Sequence, residues 1–330
     1  MRLFLAPMEG VVDHHLRELL TRLGGIDICV TEFVRVTENR LPEKVFKRLC
    51  PELLNHSKTT AGTPVRVQLL GGKPGPMAYN AAKVARMGAS AVDLNFGCPA
   101  KTVNRSDGGA CLLETPNRVY DIVKAVRERV QDDVPVTAKI RLGFENRDNF
   151  LENALAAYEA GANELVVHAR SKADGYRPPA YWDYIQRIRE HMDIPVIANG
   201  EIWSVDDFVR CREQSGSEDF MLGRGLLARP DLALQIKAYC AGEEYQALEW
   251  PEVCEYLYHF HLQIKDIYPK KFLGNRIKQW LNYMQRNYAG AEQLFETIKK
   301  QREEAAIEAA FAEHLTQDTI KKLRNDLQAA

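Results

Sequence analysis

No two cysteines in this chain are spaced as a C-x-x-C pair, and the seven that occur, at 29, 50, 98, 111, 211, 240 and 254, are scattered and odd in number. That argues against a zinc ribbon or a disulfide scaffold and predicts free thiols in a reducing compartment. Charge of one sign is also lacking, since 44 lysines and arginines stand against 45 acidic residues for a net charge of −1. A globally basic nucleic-acid binder is excluded; a local basic face is not. Long apolar runs are missing, and Met1 leads straight into Leu3-Phe4-Leu5 and Pro7. Neither a signal peptide nor a membrane span is expected, which predicts a cytoplasmic protein. Finally, no G-x-G-x-x-G turn follows the first strand-like segment, so an open dinucleotide-binding sheet is disfavoured.

What is present is a regular alternation. Strand-like runs at Leu3 to Ala6, Ile28 to Thr31, Val65 to Leu70, Ala91 to Leu94, Val136 to Ile140, Leu165 to His168, Val196 to Ala198 and Phe220 to Leu222 are separated by stretches of helical spacing. Eight such units over about 240 residues have the length and rhythm of a (β/α)8 TIM barrel. Beyond Gly242-Glu243-Glu244 and Trp250-Pro251 only helical periodicity remains, over Glu252 to Ile267, Arg276 to Tyr288, Ala291 to Phe311 and Asp318 to Leu327. The expected division is a catalytic barrel over residues 1–242 and a C-terminal all-helical bundle over 243–330.

The chain is organised around Val92-Asp93-Leu94-Asn95-Phe96-Gly97-Cys98-Pro99, an apolar run broken by Gly97 and Pro99. Asn95 and Cys98 should therefore sit at a strand's carboxyl end, where catalytic groups collect in such folds. A thiol ionising near pH 8.5 can give up a proton near neutrality, which suits a general acid toward carbon. Taken alone, Cys98 could equally be core filling, because free cysteine is among the most buried residue types.

Its neighbours at corresponding positions decide between these readings. The third strand ends with Gln68, the fifth with Lys139 and Arg141, the sixth with His168 and Arg170, the seventh with Asn199-Gly200-Glu201, and the eighth with Gly223-Arg224-Gly225. Glycines and one guanidinium after strands seven and eight fit the usual phosphate site of these barrels. With Lys139 to balance electron density near N1 and the C2 carbonyl, and Gln68 on the pyrimidine edge, the set fits flavin mononucleotide (FMN). Ala6-Pro7-Met8 would add main-chain contact to the ring.

These residues resemble the tRNA-dihydrouridine synthase family over nearly the whole chain. The likeness rests on Ala6-Pro7-Met8-Glu9-Gly10, Val67-Gln68-Leu69, Asp93 to Pro99, Lys139-Ile140-Arg141-Leu142-Gly143, Val167-His168-Ala169-Arg170, Ile197 to Ile202 and Met221 to Gly225. The helical tail, with Arg276-Ile277-Lys278-Gln279-Trp280-Leu281, resembles the bacterial C subfamily, which modifies the D-loop uridine at position 16. The resemblance implies FMN reduced by NADPH or NADH, hydride transfer from flavin N5 to C6 of the uracil, and protonation of C5 by Cys98. It also implies a flavin site that takes in Pro7, Met8, Glu9 and His168, a uracil edge held by Asn95 and Arg141, and a substrate pocket lined by Tyr176. One stretch departs from the pattern: the loop Lys101 to Gly109 carries Arg105 and Asp107 where smaller residues are expected. Cys111, the rival thiol, lies in an apolar run and is expected to pack.

A uridine inside folded tRNA must leave its stack to reach a barrel mouth, so the protein has to grip the backbone. Between Lys265 and Arg286 the chain offers Lys265, Lys270, Lys271, Arg276, Lys278 and Arg286, interleaved with Tyr268, Phe272, Trp280 and Tyr283. Such a mixture suits phosphate contact and stacking. The family pattern falls on Arg276 and Lys278, Arg35 marks the subfamily, and Trp280 is expected to pack the bundle instead. The expected partner is tRNA, with no metal, no membrane and a monomeric chain. Two other functions fit parts of this pattern: an FMN barrel acting on a free pyrimidine, and a non-catalytic tRNA-binding protein.

Overall fold

A computed structural model of the chain describes residues 1–269 and 272–329. Its strands are β1 (Leu3–Leu5), β2 (Ile28–Val30), β3 (Val34–Arg35), β4 (Val65–Leu70), β5 (Val92–Phe96), β6 (Val136–Arg141), β7 (Glu164–His168), β8 (Val196–Asn199) and β9 (Phe220–Leu222). All pair in parallel, and because β1 pairs with both β2 and β9 while β2 pairs with β4, eight strands close into a barrel. The ninth, β3, is a two-residue extension that pairs with β4 after β2 has left the ladder. Valine, isoleucine and leucine dominate these strands because a barrel strand is covered on both faces. Phe4, Ala6, Val30, Val166, Ile197 and Met221 fill part of its interior.

The opposite end from the site is held by charge. Glu164 at the start of β7 takes Arg2 at 2.6 Å and Arg66 at 2.5 Å, and Arg2 also pairs with Asp219 at 2.6 Å. Burial pushes the Glu164 carboxyl up, but the two guanidiniums outweigh it and hold the group below the usual carboxylate range. Ion pairing at this end of a barrel serves stability rather than chemistry.

The helices are α1 (His14–Leu23), α2 (Glu43–Leu49), α3 (Pro74–Arg86), α4 (Lys101–Asn104), α5 (Pro116–Arg127), α6 (Phe150–Glu159), α7 (Asp183–Arg189), α8 (Val205–Ser215), α9 (Arg224–Ala228) and α10 (Leu232–Ala241). There follow α11 (Trp250–Ile264), α12 (Asn275–Met284), α13 (Ala289–Ile298), α14 (Glu304–Phe311) and α15 (Gln317–Ala329). Their starts are written in the sequence: proline opens α3 and α5, the Ser204 hydroxyl caps α8, and Glu249 with Glu252 forms a capping box on α11.

The stretch expected as one helix over Ala291 to Phe311 is two, α13 and α14, separated at residues 299–303. From Lys299 to Glu304 no apolar residue occurs, so more than a full turn has nothing to bury and packing cannot hold it helical.

By contacts the chain forms two compact units: Met1–His14 with Ile26–Gly223, and His15–Gly25 with Arg224 onward. The first contains every strand. Among its described residues the second has helices and no strand; it takes in residues 224–242 as well, whereas the division expected from the sequence was at residue 242, where the left-handed Gly242 ends α10. Within this unit Trp280 is buried, donates to the Leu227 carbonyl at 3.0 Å and meets Phe260 edge to face. It packs the bundle, as its sequence position suggested. Among the described residues no helix is long and apolar enough to cross a membrane, and no three His, Cys, Asp or Glu are placed to hold a metal ion.

Candidate active site

Strand register brings the predicted residues together. Gln68 lies beside Asp93, Asn95 beside Lys139, Arg141 beside His168, and His168 beside Asn199. All belong to the first unit, and all but Asp93, the second residue of β5, lie toward the carboxyl ends of their strands.

Cys98 sits two residues past β5 in a loop braced from two sides. On one side Asn95 Oδ1 accepts the N–H groups of Gly97 and Cys98, both at 2.9 Å. Arg141 adds to this by donating from Nε to the Gly97 carbonyl at 2.8 Å, and from Nη1 to the carbonyls of Ser171 and Gly175 at 3.0 Å each. On the other side Asn104 Nδ2 donates to the carbonyls of Cys98 at 3.0 Å and Ala100 at 2.7 Å, while its Oδ1 accepts Cys111 N–H at 2.8 Å. Gly109, at φ +70°, lets the backbone approach: a Cβ there would lie 2.8 Å from the Cys98 carbonyl oxygen.

The environment keeps this thiol protonated. Burial pushes Cys98 up, and the Glu9 carboxylate adds to that; the Ala100 main-chain N–H and the Arg141 and Arg35 guanidiniums oppose without reversing it. A thiol whose ionisation is raised is a proton donor at neutral pH rather than a nucleophile. Cys111, expected to be packed, is half-buried, and its Sγ donates to the Gly108 carbonyl at 3.3 Å.

The unusual Asp107 anchors the loop in its own way. It takes the Arg118 guanidinium at 2.5 and 2.8 Å, and Arg118 also donates to the Gly72 carbonyl at 2.9 Å. Closure there depends on Gly72, because a Cβ at that position would lie 2.0 Å from the Asp107 carbonyl oxygen. Arg105 stays exposed.

On the neighbouring strand, β6, stands Lys139, whose Nζ donates to Asn199 Oδ1 at 3.1 Å. Asn199 is oriented in turn by donating to the Met221 carbonyl at 2.8 Å. Burial, with the Arg141 charge adding, pushes the Lys139 ammonium down to about 8, against the pull of Asp93. Among the described residues no carboxylate stands within ion-pair distance of it, so this cation suits a ligand bearing partial negative charge. Such a donor set fits the electron-rich N1 and C2 carbonyl region of a flavin.

Gly200 and Glu201 form a turn at φ +118° and +58°. A Cβ at Gly200 would lie 2.8 Å from His168 Cδ2, and its carbonyl accepts Trp182 Nε1 at 2.9 Å. Glu201, in a conformation that side chains other than glycine rarely take, is fixed by Arg170, which is fully buried, and by Trp203 Nε1 at 2.9 Å. Its carboxylate is thus engaged by the protein, and the main chain of the turn is what remains for a cofactor. Arg170 Nη1 lies 3.4 Å from His168 Nε2. Gly223 ends the eighth unit beside Ala6 and Met8, with Met8 Sδ 3.7 Å from where its Cβ would be.

At the rim, Tyr176 is half exposed, 5.2 Å from the Arg141 guanidinium carbon and 5.9 Å from the His168 ring. Arg35, exposed on β3, reaches the Thr102 carbonyl at 3.4 Å. The remaining predicted residues lie in the second unit. Arg224 opens α9, and α12 carries Arg276, Lys278 and Tyr283. Arg276 donates to Gln279 Oε1 at 2.7 Å and Lys278 to the Gln301 carbonyl at 2.6 Å. Lys270 and Lys271 lie outside the described residues.

Sequence reasoning missed Asn104, Trp182 and Trp203, and gave Asp93, Arg170 and Thr137 no role of their own. Asp93 alone carried a usable signal, a carboxylate in the middle of an otherwise apolar run.

The family described as "Dihydrouridine synthase (Dus)" matches residues 4–321 of the chain. A "tRNA-dihydrouridine(16) synthase" of Aquipseudomonas alcaligenes is 50% identical over 312 residues, 94% of this chain and 99% of the relative. One of Shewanella oneidensis is 51% identical over 299 residues, covering 91% and 93%. One of Neisseria meningitidis serogroup B is 44% identical over 313 residues, covering 94% of each chain. Among solved structures, a 2-naphthoyl-CoA reductase complex aligns with a TM-score of 0.54 at 14% identity, over 73% of this chain and 50% of that one. Histamine dehydrogenase from Rhizobium sp. 4-9 aligns at 0.53 and 15% identity, over 72% and 46%. This chain spans about half the length of these two structures, and at such identity they speak to the fold alone.

Proposed function

The chain belongs to the dihydrouridine synthase family, and from that premise we propose that it reduces the D-loop uridine 16 of tRNA to 5,6-dihydrouridine, with FMN as cofactor and NADPH or NADH as reductant. The observation that carries this reading is Cys98, a thiol held protonated by burial at a barrel mouth that also presents Lys139 and Asn199. When bound, a reduced flavin supplies the hydride that C6 of the uracil accepts.

The chain's own residues do the rest. Lys139, Asn199 and Gln68 would hold the isoalloxazine edge, Pro7, Met8, Glu9 and His168 would flank the ring, and the Gly200-Glu201 main chain with Gly223 and Arg224 would take the phosphate. Cys98 Sγ–H delivers its proton to C5 on the face away from the flavin, and the thiolate left behind is reprotonated from solvent. Asn95 retains one Nδ2 hydrogen for the uracil edge, Arg141 fixes the loop carbonyls around it, and Tyr176 would stack at the rim. The uridine has to be extruded for this, so Arg35, Arg276, Lys278 and Tyr283 would hold the tRNA backbone. A monomer working in the cytoplasm is sufficient for the proposed reaction.

The test is reconstitution with FMN, NADPH and an unmodified tRNA transcript, mapping dihydrouridine along the product. Modification at position 16 is expected. Turnover of free uracil or dihydroorotate without any on tRNA, or tRNA binding by a colourless protein that changes no base, would refute it.

A further inference from the structure

Asp93 touches neither the thiol nor any residue at the rim, yet a continuous line of hydrogen bonds joins it to Cys98. Thr137 Oγ1 donates to Asp93 Oδ1 at 2.6 Å, and Gln68 Nε2 donates to Asp93 Oδ2 at 2.7 Å. Gln68 Oε1 accepts from Asn95 Nδ2 at 2.7 Å, and Asn95 Oδ1 accepts the N–H groups of Gly97 and Cys98. We propose that Asp93 is a positioning residue whose side-chain oxygen fixes which way the Gln68 and Asn95 amides face, and thereby holds the Cys98 loop in place.

The direction of each bond follows from both ends. Main-chain N–H groups can only donate, so Asn95 must turn its oxygen to Gly97 and Cys98. Its NH2 then faces Gln68, which must answer with its own oxygen. That leaves the Gln68 NH2 pointing into the barrel, where an acceptor is required. Asp93 is that acceptor. Gln68 and Thr137 are fully buried and Asp93 is 1% exposed, so no water is at hand to absorb a mismatch. An amide side chain by itself has no preferred direction. The Thr137 hydroxyl can accept as well as donate, so it is the Gln68 NH2 that makes an acceptor at this position obligatory.

A count of donors and acceptors turns this into a test. In Asp93→Leu no acceptor faces the Gln68 NH2, so nothing sets which way that amide turns and the line to Cys98 is broken. Asp93→Asn is the conservative variant: its oxygen can take the Gln68 NH2 while its own NH2 donates to the Thr137 hydroxyl, which accepts as well as donates. Thr137→Val is the control, since it removes a bond to the same side chain without changing how Gln68 faces. The inference takes its functional consequence from the reading of Cys98 as proton donor. Its readout does not: the rate of Cys98 alkylation by iodoacetamide across pH, measured on the Cys98 peptide by mass spectrometry of the purified full chain, reports the loop directly.

Asp93→Leu is expected to move that profile toward the lower pH of an exposed thiol, and to lower kcat about tenfold with the KM for tRNA unchanged. Gln68→Met, which removes the amide linking Asp93 to Asn95, should move the profile the same way. Asp93→Asn should keep the wild-type profile, and Thr137→Val should melt earlier yet keep it too. The proposal is overturned by Asp93→Leu or Gln68→Met profiles identical to wild type, by an Asp93→Asn profile as shifted as theirs, or by a Thr137→Val shift as large. Loss of uridine reduction with the alkylation pattern as expected would instead count against Cys98 as the donor.

Discussion

Replacing Gly109 by alanine perturbs the Cys98 loop at one known point. The residue sits at φ +70°, and its new Cβ would lie 2.8 Å from the Cys98 carbonyl oxygen, 3.0 Å from Val103 Cγ1 and 3.1 Å from Cys98 Cβ. The left-handed conformation costs alanine about 1–2 kcal/mol. Relieving the contacts adds about 1–3 kcal/mol of overpacking, and the Cys98 main chain, also bonded to Asn104 and Ala110, has to retreat by roughly 0.5 Å to restore ordinary contact distances. A displacement of that size at a reacting group slows chemistry by about tenfold to a hundredfold. Melting should fall by about 5 °C, taking roughly 2 °C per kcal/mol for a chain of this size. Gly88 supplies the comparison, because it has φ +90° and no atom within 4 Å of the point a Cβ would occupy. Gly88→Ala carries the same conformational cost and should melt slightly earlier with uridine reduction intact. Both variants would be assayed for melting, bound flavin and dihydrouridine formation. If Gly109→Ala reduces tRNA at the wild-type rate, or Gly88→Ala loses as much, the claim that this contact shapes the thiol's position is wrong.

Three further predictions rest on separate parts of the molecule. Lys139, pushed down to about 8 by burial, carries charge in the free protein below that pH, so flavin affinity should weaken as pH rises through it, and Lys139→Met should bind flavin weakly with that dependence gone; fluorescence titration between pH 6 and about 9 reads both. Glu164 is held below its ordinary range, so its contribution is present above the unfolded carboxylate value and is lost as pH falls through the folded one. Glu164→Gln should therefore cost about 3 kcal/mol in urea unfolding at neutral pH, with the gap to wild type closing below about pH 4. Arg276→Ala with Lys278→Ala should weaken tRNA binding and reduce the slope of log affinity against log salt by about 2, leaving NADPH oxidation by the flavin unchanged.

The barrel was readable because its strands are buried on both faces: Phe220–Leu222 is a continuous apolar run, and Val65–Leu70, though Arg66 and Gln68 alternate with its valines, is apolar enough to stand out before Gly71-Gly72. A two-residue strand such as β3 offers no periodicity and owes its existence to the edge of β4. Residues 299–304 show the converse, since helical composition on both sides hid the loss of anything to bury. At the mouth, Gln68, Asn95, Cys98, Lys139 and Asn199 could be anticipated from their places at strand ends. Their partners could not. Asp93 reaches Thr137 across 44 positions and Gln68 across 25, and those bonds exist only once register sets β4, β5 and β6 side by side. For the same reason the sequence could offer the Gly200-Glu201 main chain to a cofactor without showing that Arg170 and Trp203 engage the Glu201 carboxylate.

Proton delivery by Cys98 is tested most directly by a single anaerobic turnover, mixing flavin-reduced protein with unmodified tRNA and following the return of the oxidised flavin's absorbance. Wild type should reoxidise as tRNA is reduced, whereas Cys98→Ala should bind flavin and tRNA normally and reoxidise at least about a hundredfold more slowly. Equal reoxidation rates for the two, with dihydrouridine formed by both, would contradict the account.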